Sequence, residues 1–526
     1  MLALGGAVAT AQPADLGSLS DLEFFKHHLK TISADDFGGR KPLTPYETKT
    51  IEYIRDQYIA LGLQPAAEDG GWYQDVLEIK TETALHGGKM TVKGKKKKVS
   101  VSAPDEIVPW TLRNTDCVEL RNAGIVFAGY GATAPEYGWD DFEDVDVSGK
   151  VLLVLERDPG SYDESIFNGK GLTYYGRAEC KFEEAFRRGA AGCLVIHMPE
   201  SSAYSFSAIQ AAHGTQEIAL VDGNGNRDAL GLSGWIAEDA VRRIFEAAGA
   251  DYEAAIVSAR STGFKAMPLN ATLNATLDVK AQTGTSHNVL GMIPGTDLKD
   301  ECVVIAAHWD HLGIGVPVDG DAIYNGAGDN ASGVAGMLTH VRRFIADGTP
   351  LRRTVIFAAL TGEEDGLLGS EWYGKHPIFP VSKTAAAVNI DGGAPLGKAT
   401  NIEVYAGGLS SVDGIVSILG AAQGRRVDII DPDTRGIFFR TDLFNFLRVG
   451  IPGVFVCGGQ EWVDPVDHRN HYNPPYHHPK DEWREDWDMS GVMDHWNLIH
   501  ALIEVYANQT EMPTWNPGCG FSRPEE

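Results

Sequence analysis

An α/β fold with a mainly parallel, mixed sheet sandwiched by helices is what this sequence predicts, on three observations. Beyond residue 285, apolar runs of strand length alternate regularly with stretches of helical periodicity. The runs are nearly continuous, the mark of strands buried on both faces. Histidines and carboxylates stand just past their carboxyl ends, where open α/β sheets bind ligands.

In chain order, residues 1–12 end in Ala9-Thr10-Ala11-Gln12 and read as the remnant of a signal peptide without its positive n-region. Export, periplasmic or secreted, is therefore expected. Residues 20–118 are expected to begin the main domain. Their first helix places Leu22, Phe25, His28 and Leu29 on one face, a second covers 46–61, and Gly38-Gly39 is the loop between. Residues 119–266 read as a β-rich α/β insert. In it KVLLVLERD (150–158) and CLVIHM (193–198) are buried strands, and AECKFEEAFRRGAAG (178–192) is a helix closed by glycine. Residues 267–510 resume the main domain, with strands at 302–308, 354–361, 385–391, 402–407 and 453–459. Helices are predicted between them at 332–346, 366–375, 410–422 and 441–449, and residues 511–526 form a tail.

Composition excludes several functions. Lys and Arg total 45 against 72 Asp and Glu, and a net charge of −27 repels phosphate backbones, so no nucleic-acid partner is expected. The one basic run, 93–98, reads as a solvated loop tip. No apolar run reaches the roughly 18 residues of a membrane span. The six cysteines are scattered singly, without the C-x-x-C spacing of a zinc ribbon or redox pair. No G-x-S-x-G elbow or H-E-x-x-H helix occurs, and GAGDNASG lacks the lysine and spacing of a phosphate loop. Oligomeric state is not legible.

Five segments deliver a histidine or carboxylate to one sheet edge. They are His308-Trp309-Asp310, the Asp329 loop, Glu363-Glu364, Asn389-Ile390-Asp391, and the segment from Tyr476 through His477 to Asp481. Any one of them alone reads as a helix cap or a solvated pair. Their coincidence at one edge points instead to metal chemistry. Zinc takes nitrogen from His and oxygen from Asp or Glu, and two zincs about 3.5–4 Å apart need a bridging carboxylate.

AAHWDHLG, YNGAGDNASGVAG, TGEEDGLLGS, AVNID and YHHPKD resemble, in order, the motifs of the di-zinc aminopeptidase family. That family includes bacterial leucyl aminopeptidases, glutamate carboxypeptidases and glutaminyl cyclases. The stretch GYGATAPEYGWDDFEDVDVSGKVLLVLERDPG resembles the protease-associated domain that many members carry as an insertion. The resemblance implies a zinc-exopeptidase fold, two Zn2+ ions and a peptide substrate. His308 and Asp391 would bind one zinc, Glu364 and His477 the other, and Asp329 both. Glu363 would be the general base, and Asp310 would orient His308. His311 and His478 are competing imidazoles that the family pattern sets aside. Asn330 and Ser332 would shape the helix entry, His468 and His471 would line the pocket or face solvent, and Tyr472 or Tyr476 would serve an oxyanion. Where members show Ser-Asp-His, this chain has Arg440-Thr441-Asp442-Leu443, which leaves the substrate contacts open.

Aminopeptidase is the expected activity. A carboxypeptidase would need Arg or Lys beside the zincs, and Arg440 leaves that alternative standing. A glutaminyl cyclase is disfavoured by the Glu363-Glu364 pair and the insert. A non-catalytic receptor is disfavoured by the complete ligand set.

Overall fold

The structure, a computed structural model, describes residues 16–202, 205–214, 216–392, 397–431, 433–464 and 476–524. The signal-like run 1–12 and the residues His468, His471 and Tyr472 lie outside the described residues.

The sheet of the main domain grows from the predicted apolar runs. Arg353–Leu360, Leu298–His308, Thr384–Asn389 and Gly453–Gly458 lie side by side and parallel. Antiparallel neighbours extend both edges: the end of Met267–Ile293 beside Arg353–Leu360, and Asn401–Tyr405 beside Gly453–Gly458. Successive side chains of a strand point to opposite faces. Val303, Ile305 and Ala307 accordingly enter one core, and Cys302, Val304 and Ala306 the other. The first core is closed by Asp21–Ile32, Pro45–Leu61, Ser332–Asp347 and Val492–Asn508, the second by Leu368–Lys375 and Leu443–Arg448.

Helix ends follow local chemistry. Asp21–Ile32 starts where the Ser20 hydroxyl accepts from the Glu23 amide, and Pro45–Leu61 stops at Gly62 in the left-handed region (φ 91°).

The second unit has its own cores. Val151–Leu155, Gly192–His197 and Leu232–Ala237 form a parallel set, with helices Ala178–Arg187 and Glu238–Ala248 against it. Its packing begins earlier than residue 119. Leu85, Met90, Val92, Val99, Val101 and Ile107 lie in the same core as Ile125 and Leu153. The basic run 93–98 is the tip of the hairpin Lys89–Gly94 and Lys98–Ser102.

One strand joins the units. Met267–Ile293 pairs first with Cys117–Phe127, then with Tyr73–Leu85, then with Arg353–Leu360. At 27 residues it spans about 90 Å at some 3.3 Å per residue.

Burial of imidazoles sets an acid limit on this fold. Burial lowers His28 and His495 to about 3 and His500 to about 4, all from 6.5. A histidine depressed in the folded state contributes full stability above its unfolded pKa. That contribution is lost as pH falls from 6.5 toward the folded value. For His500 the loss is about 2 kcal/mol by pH 5. His500 stacks on Phe344 with ring centroids 4.1 Å apart. His500→Phe is therefore expected to retain more of its pH 7.5 melting temperature at pH 5 than the natural chain does, measured by thermal melts at both pH values.

Candidate metal centre

Parallel strands bring the site residues to one edge. His308 is the last residue of Leu298–His308 and registers with Leu360; Ala306 registers with Asn389. Glu363-Glu364 and Asp391 follow those neighbours by three to four and two residues, so all three strands release their polar residues at one level. Asp329 comes from the turn Ala327–Ala331 that opens Ser332–Asp347. His477 arrives from the C-terminal side.

All seven predicted site residues meet here. His308 Nε2 lies 3.3 Å from Asp329 Oδ1 and 3.4 Å from Asp391 Oδ1. His477 Nε2 lies 3.6 Å from Asp329 Oδ2 and 2.9 Å from Glu364 Oε2. Ligand atoms of His308, Glu363 and Asp391 fall within 4.8 Å of one another, as do those of His311, Asp329 and Glu364.

Asp310 has a broader part than orienting an imidazole. Its backbone carbonyl lies 3.2 Å from His308 Nδ1 and its carboxylate 3.6 Å away. The carboxylate accepts from the amides of Glu363 (3.2 Å) and Glu364 (3.3 Å), which ties the two strand ends together. With Nδ1–H donated to the carbonyl, Nε2 keeps its lone pair toward Asp329 and Asp391.

The residues fit zinc. Tetrahedral bonds of 2.0–2.1 Å set donor atoms roughly 3.3 Å apart, wider than an ordinary hydrogen bond. The His308 separations match that edge, and those of His477 bracket it. Nε2 of His308 and of His477 is buried with no hydrogen-bond partner. Four carboxylates against three imidazoles also leave the cluster short of positive charge.

The protein's own charges shape the proton affinities. Burial pushes Glu363 well up, reinforced by Asp391, Glu364 and Asp442 and opposed by His308. Burial acts the same way on Asp329, but contacts from His308 and His477 outweigh it and hold that carboxyl well down. For His477 burial is outweighed by Glu364 and Asp329, which raise it to about 9. Asp442, from the departing Arg440-Thr441-Asp442 segment, is buried and raised by that burial to about 7, with His308 opposing.

Of the residues that hold this cluster in place, sequence reasoning missed Arg40 and Lys41; it sets Asn330 and Ser332 at the helix entry and Asp481 at the end of the YHHPKD motif, without their partners. Arg40 is fully buried and donates to the carbonyls of Trp309 (2.8 Å), Asn325 (2.5 Å), Gly326 (2.9 Å) and Ile32 (3.2 Å). It reaches them because Gly39 is in the left-handed region (φ 68°), where a Cβ would stand 2.4 Å from the Tyr324 carbonyl oxygen. Lys41 pairs with Asp365 at 2.7 Å, both side chains 5% exposed. Asp481 accepts from the amides of Gly328 (2.7 Å) and Asp329 (3.1 Å). Asn330 donates to the Ile390 carbonyl (2.9 Å) and accepts from the Gly392 amide (2.9 Å), linking the Asp329 loop to Asp391. Ser332 donates to the Gly328 carbonyl.

A cavity of about 300 Å³ opens from Glu363, Glu364 and His477. Its far wall is apolar and belongs to the second unit, with Trp110, Phe182, Ile209 and Trp235. Arg177, Arg440 and Tyr476 border it nearer the cluster. Tyr476 stacks on His477 with centroids 3.6 Å apart.

This fold and site define a class, a metallopeptidase domain of the zinc-exopeptidase type. Comparison narrows it further: residues 288–501 match the model of Peptidase family M28. The whole chain resembles in fold an aminopeptidase from Aneurinibacillus sp. strain AM-1, at a TM-score of 0.52 and 18% identity, covering 97% of this chain and 99% of that one. A zinc aminopeptidase from Bacillus subtilis is similar at a TM-score of 0.50 and 19% identity, with 94% and 96% covered. A vacuolar membrane protease of Aspergillus niger is 31% identical over 146 residues, and one of Candida albicans 35% over 114. The matched regions are 27% and 22% of this chain but 14% and 12% of those relatives' lengths. Among the described residues no helix is long and apolar enough to cross a membrane.

The Arg40 clamp is open to test. Arg40→Met removes hydrogen bonds to four backbone carbonyls, and bonds from a charged donor contribute about 1.5–3 kcal/mol each. A loss on the order of 3 kcal/mol or more is expected in urea unfolding of the metal-free protein.

Proposed function

We propose that the chain is a zinc-dependent exopeptidase, an aminopeptidase, with two Zn2+ ions at this centre. The observation that carries the reading is Asp329, whose two carboxylate oxygens face two different histidines, His308 at 3.3 Å and His477 at 3.6 Å. His308, Asp391 and Asp329 would hold one ion; Glu364, His477 and Asp329 the other. Bound zinc supplies Lewis-acid polarisation of the scissile carbonyl and acidifies water.

The chain's own residues do the rest. Glu363 takes the proton of the attacking water at a carboxylate oxygen and returns it to the leaving amine. Asp310 fixes the amide of Glu363 and so the origin of that side chain. Tyr476 borders the cavity and offers a phenol donor to the developing oxyanion. The apolar far wall excludes water and packs against a substrate side chain, which makes the second unit part of the substrate site. The second unit is read as a protease-associated insert, and the signal-like residues 1–12 support a periplasmic or secreted location.

A carboxypeptidase is the second reading, favoured by Arg177 and Arg440 on the cavity border, where a guanidinium pairs with a terminal carboxylate.

The first measurement tests the centre that both readings share, and the second decides between them. Glu363→Gln is expected to keep two zincs per chain by elemental analysis while kcat falls by about 10²–10⁴-fold, the worth of a general base. Near-natural turnover in that variant removes Glu363 from its role, and fewer than two zincs in the natural chain removes the dinuclear centre. Aminoacyl-anilides are expected to be cleaved, and N-blocked peptides with a free carboxylate to be spared. The reverse pattern makes the chain a carboxypeptidase.

A further inference from the structure

His311 lies three residues past His308, in the segment that leaves strand Leu298–His308, and is fully buried. Its Nδ1 is 2.5 Å from Glu364 Oε1, while the other oxygen, Oε2, is 2.9 Å from His477 Nε2. One carboxylate is thus gripped by an imidazole on each oxygen. The His311 ring is itself confined by the Asp329 loop: Gly326 has φ 56°, and a Cβ there would stand 2.5 Å from His311 Cγ.

We infer that His311 is a positioning residue. Its Nδ1–H donates to Glu364 Oε1 and aims Oε2 at the metal site shared with His477 and Asp329. The inference rests on the dinuclear reading above. Distance separates this part from ligation. Two atoms bound to one zinc at 2.0–2.1 Å stand roughly 3.3 Å apart in a tetrahedral shell. At 2.5 Å, Nδ1 and Oε1 are at hydrogen-bond range and too close for that shell. Without the donor, a buried carboxylate oxygen loses its partner and Glu364 loses one of the two contacts that set its rotamer.

The test is zinc affinity by chelator competition on the full chain, for the natural protein, His311→Ala, His311→Gln and His477→Ala. Both His311 variants are expected to bind two zincs at saturation. In His311→Ala one of the two affinities should weaken by about 10–100-fold, the usual cost of losing such a support, with the other near natural. His311→Gln, whose amide can donate to Glu364, should recover part of the loss. Two natural affinities in His311→Ala overturn the inference. So does loss of one zinc site at every concentration, matching His477→Ala, since that makes His311 a ligand. Melting of the metal-free proteins separates misfolding from either result, and the Gln variant keeps the question open to measurement if the Ala variant does not fold. A natural chain that takes fewer than two zincs fails the dinuclear reading itself, an outcome distinct from an unchanged His311 variant.

Discussion

Asp329, Glu363, Glu364 and Asp391 are held together at the end of a buried sheet, and their mutual repulsion is the constraint around which this molecule is built. Carboxylates removed from water do not stay ionised side by side without compensation. Here the compensation is distributed. His308 and His477 face Asp329 from two sides, Arg40 adds a buried positive charge behind the loops, and Asp481 and Asp310 fix backbone amides of the very segments that carry the acids. Bound cations would complete the balance, and the separations of the His308 donor set fit zinc.

The same constraint explains the rigidity of the supports. Arg40 donates to three carbonyls from two different loops, so the His308 turn and the Asp329 turn cannot drift apart independently. Asn330 does the equivalent between the Asp329 turn and the end of Thr384–Asn389. Precision at a metal centre depends on such outer contacts as much as on the ligands.

The second unit is tied into this centre through Met267–Ile293. One continuous strand hydrogen-bonds into both units, so the cavity wall formed by Trp110, Phe182, Ile209 and Trp235 is referenced to the catalytic edge through a ladder, not a flexible linker. The lining of this cavity therefore comes from parts of the chain that sequence separates by more than a hundred residues.

By itself the sequence determined the α/β alternation, the five strands and four helices named after residue 285, and the identity of the polar residues at the strand ends, but not the helix Val492–Asn508 or the strands Gly313–Val318, Asp321–Tyr324 and Arg426–Ile429. Those are local matters: a continuous apolar run of strand length buries itself, and the residue after it emerges at the sheet edge. Tertiary structure alone decided the rest. Tyr73–Leu85 is half-exposed and rich in Thr, Glu and Lys, so its strand character comes from the thirteen-residue pairing with Met267–Ile293 and not from its own pattern. Residues 85–118 join the second core for the same reason, through partners distant in the chain. Arg40 and Lys41 carry no local signature, because the carbonyls and carboxylate they engage lie between 269 and 324 residues away, save for the Ile32 carbonyl that Arg40 also holds. Asp481, though part of the YHHPKD motif, finds its amide partner Gly328 153 residues away. His311 could be seen as a spare imidazole beside His308, but only the folded chain shows which oxygen of Glu364 it faces. Hydrophobic periodicity is written along the chain, whereas the satisfaction of a buried charge depends on groups that folding alone brings within reach.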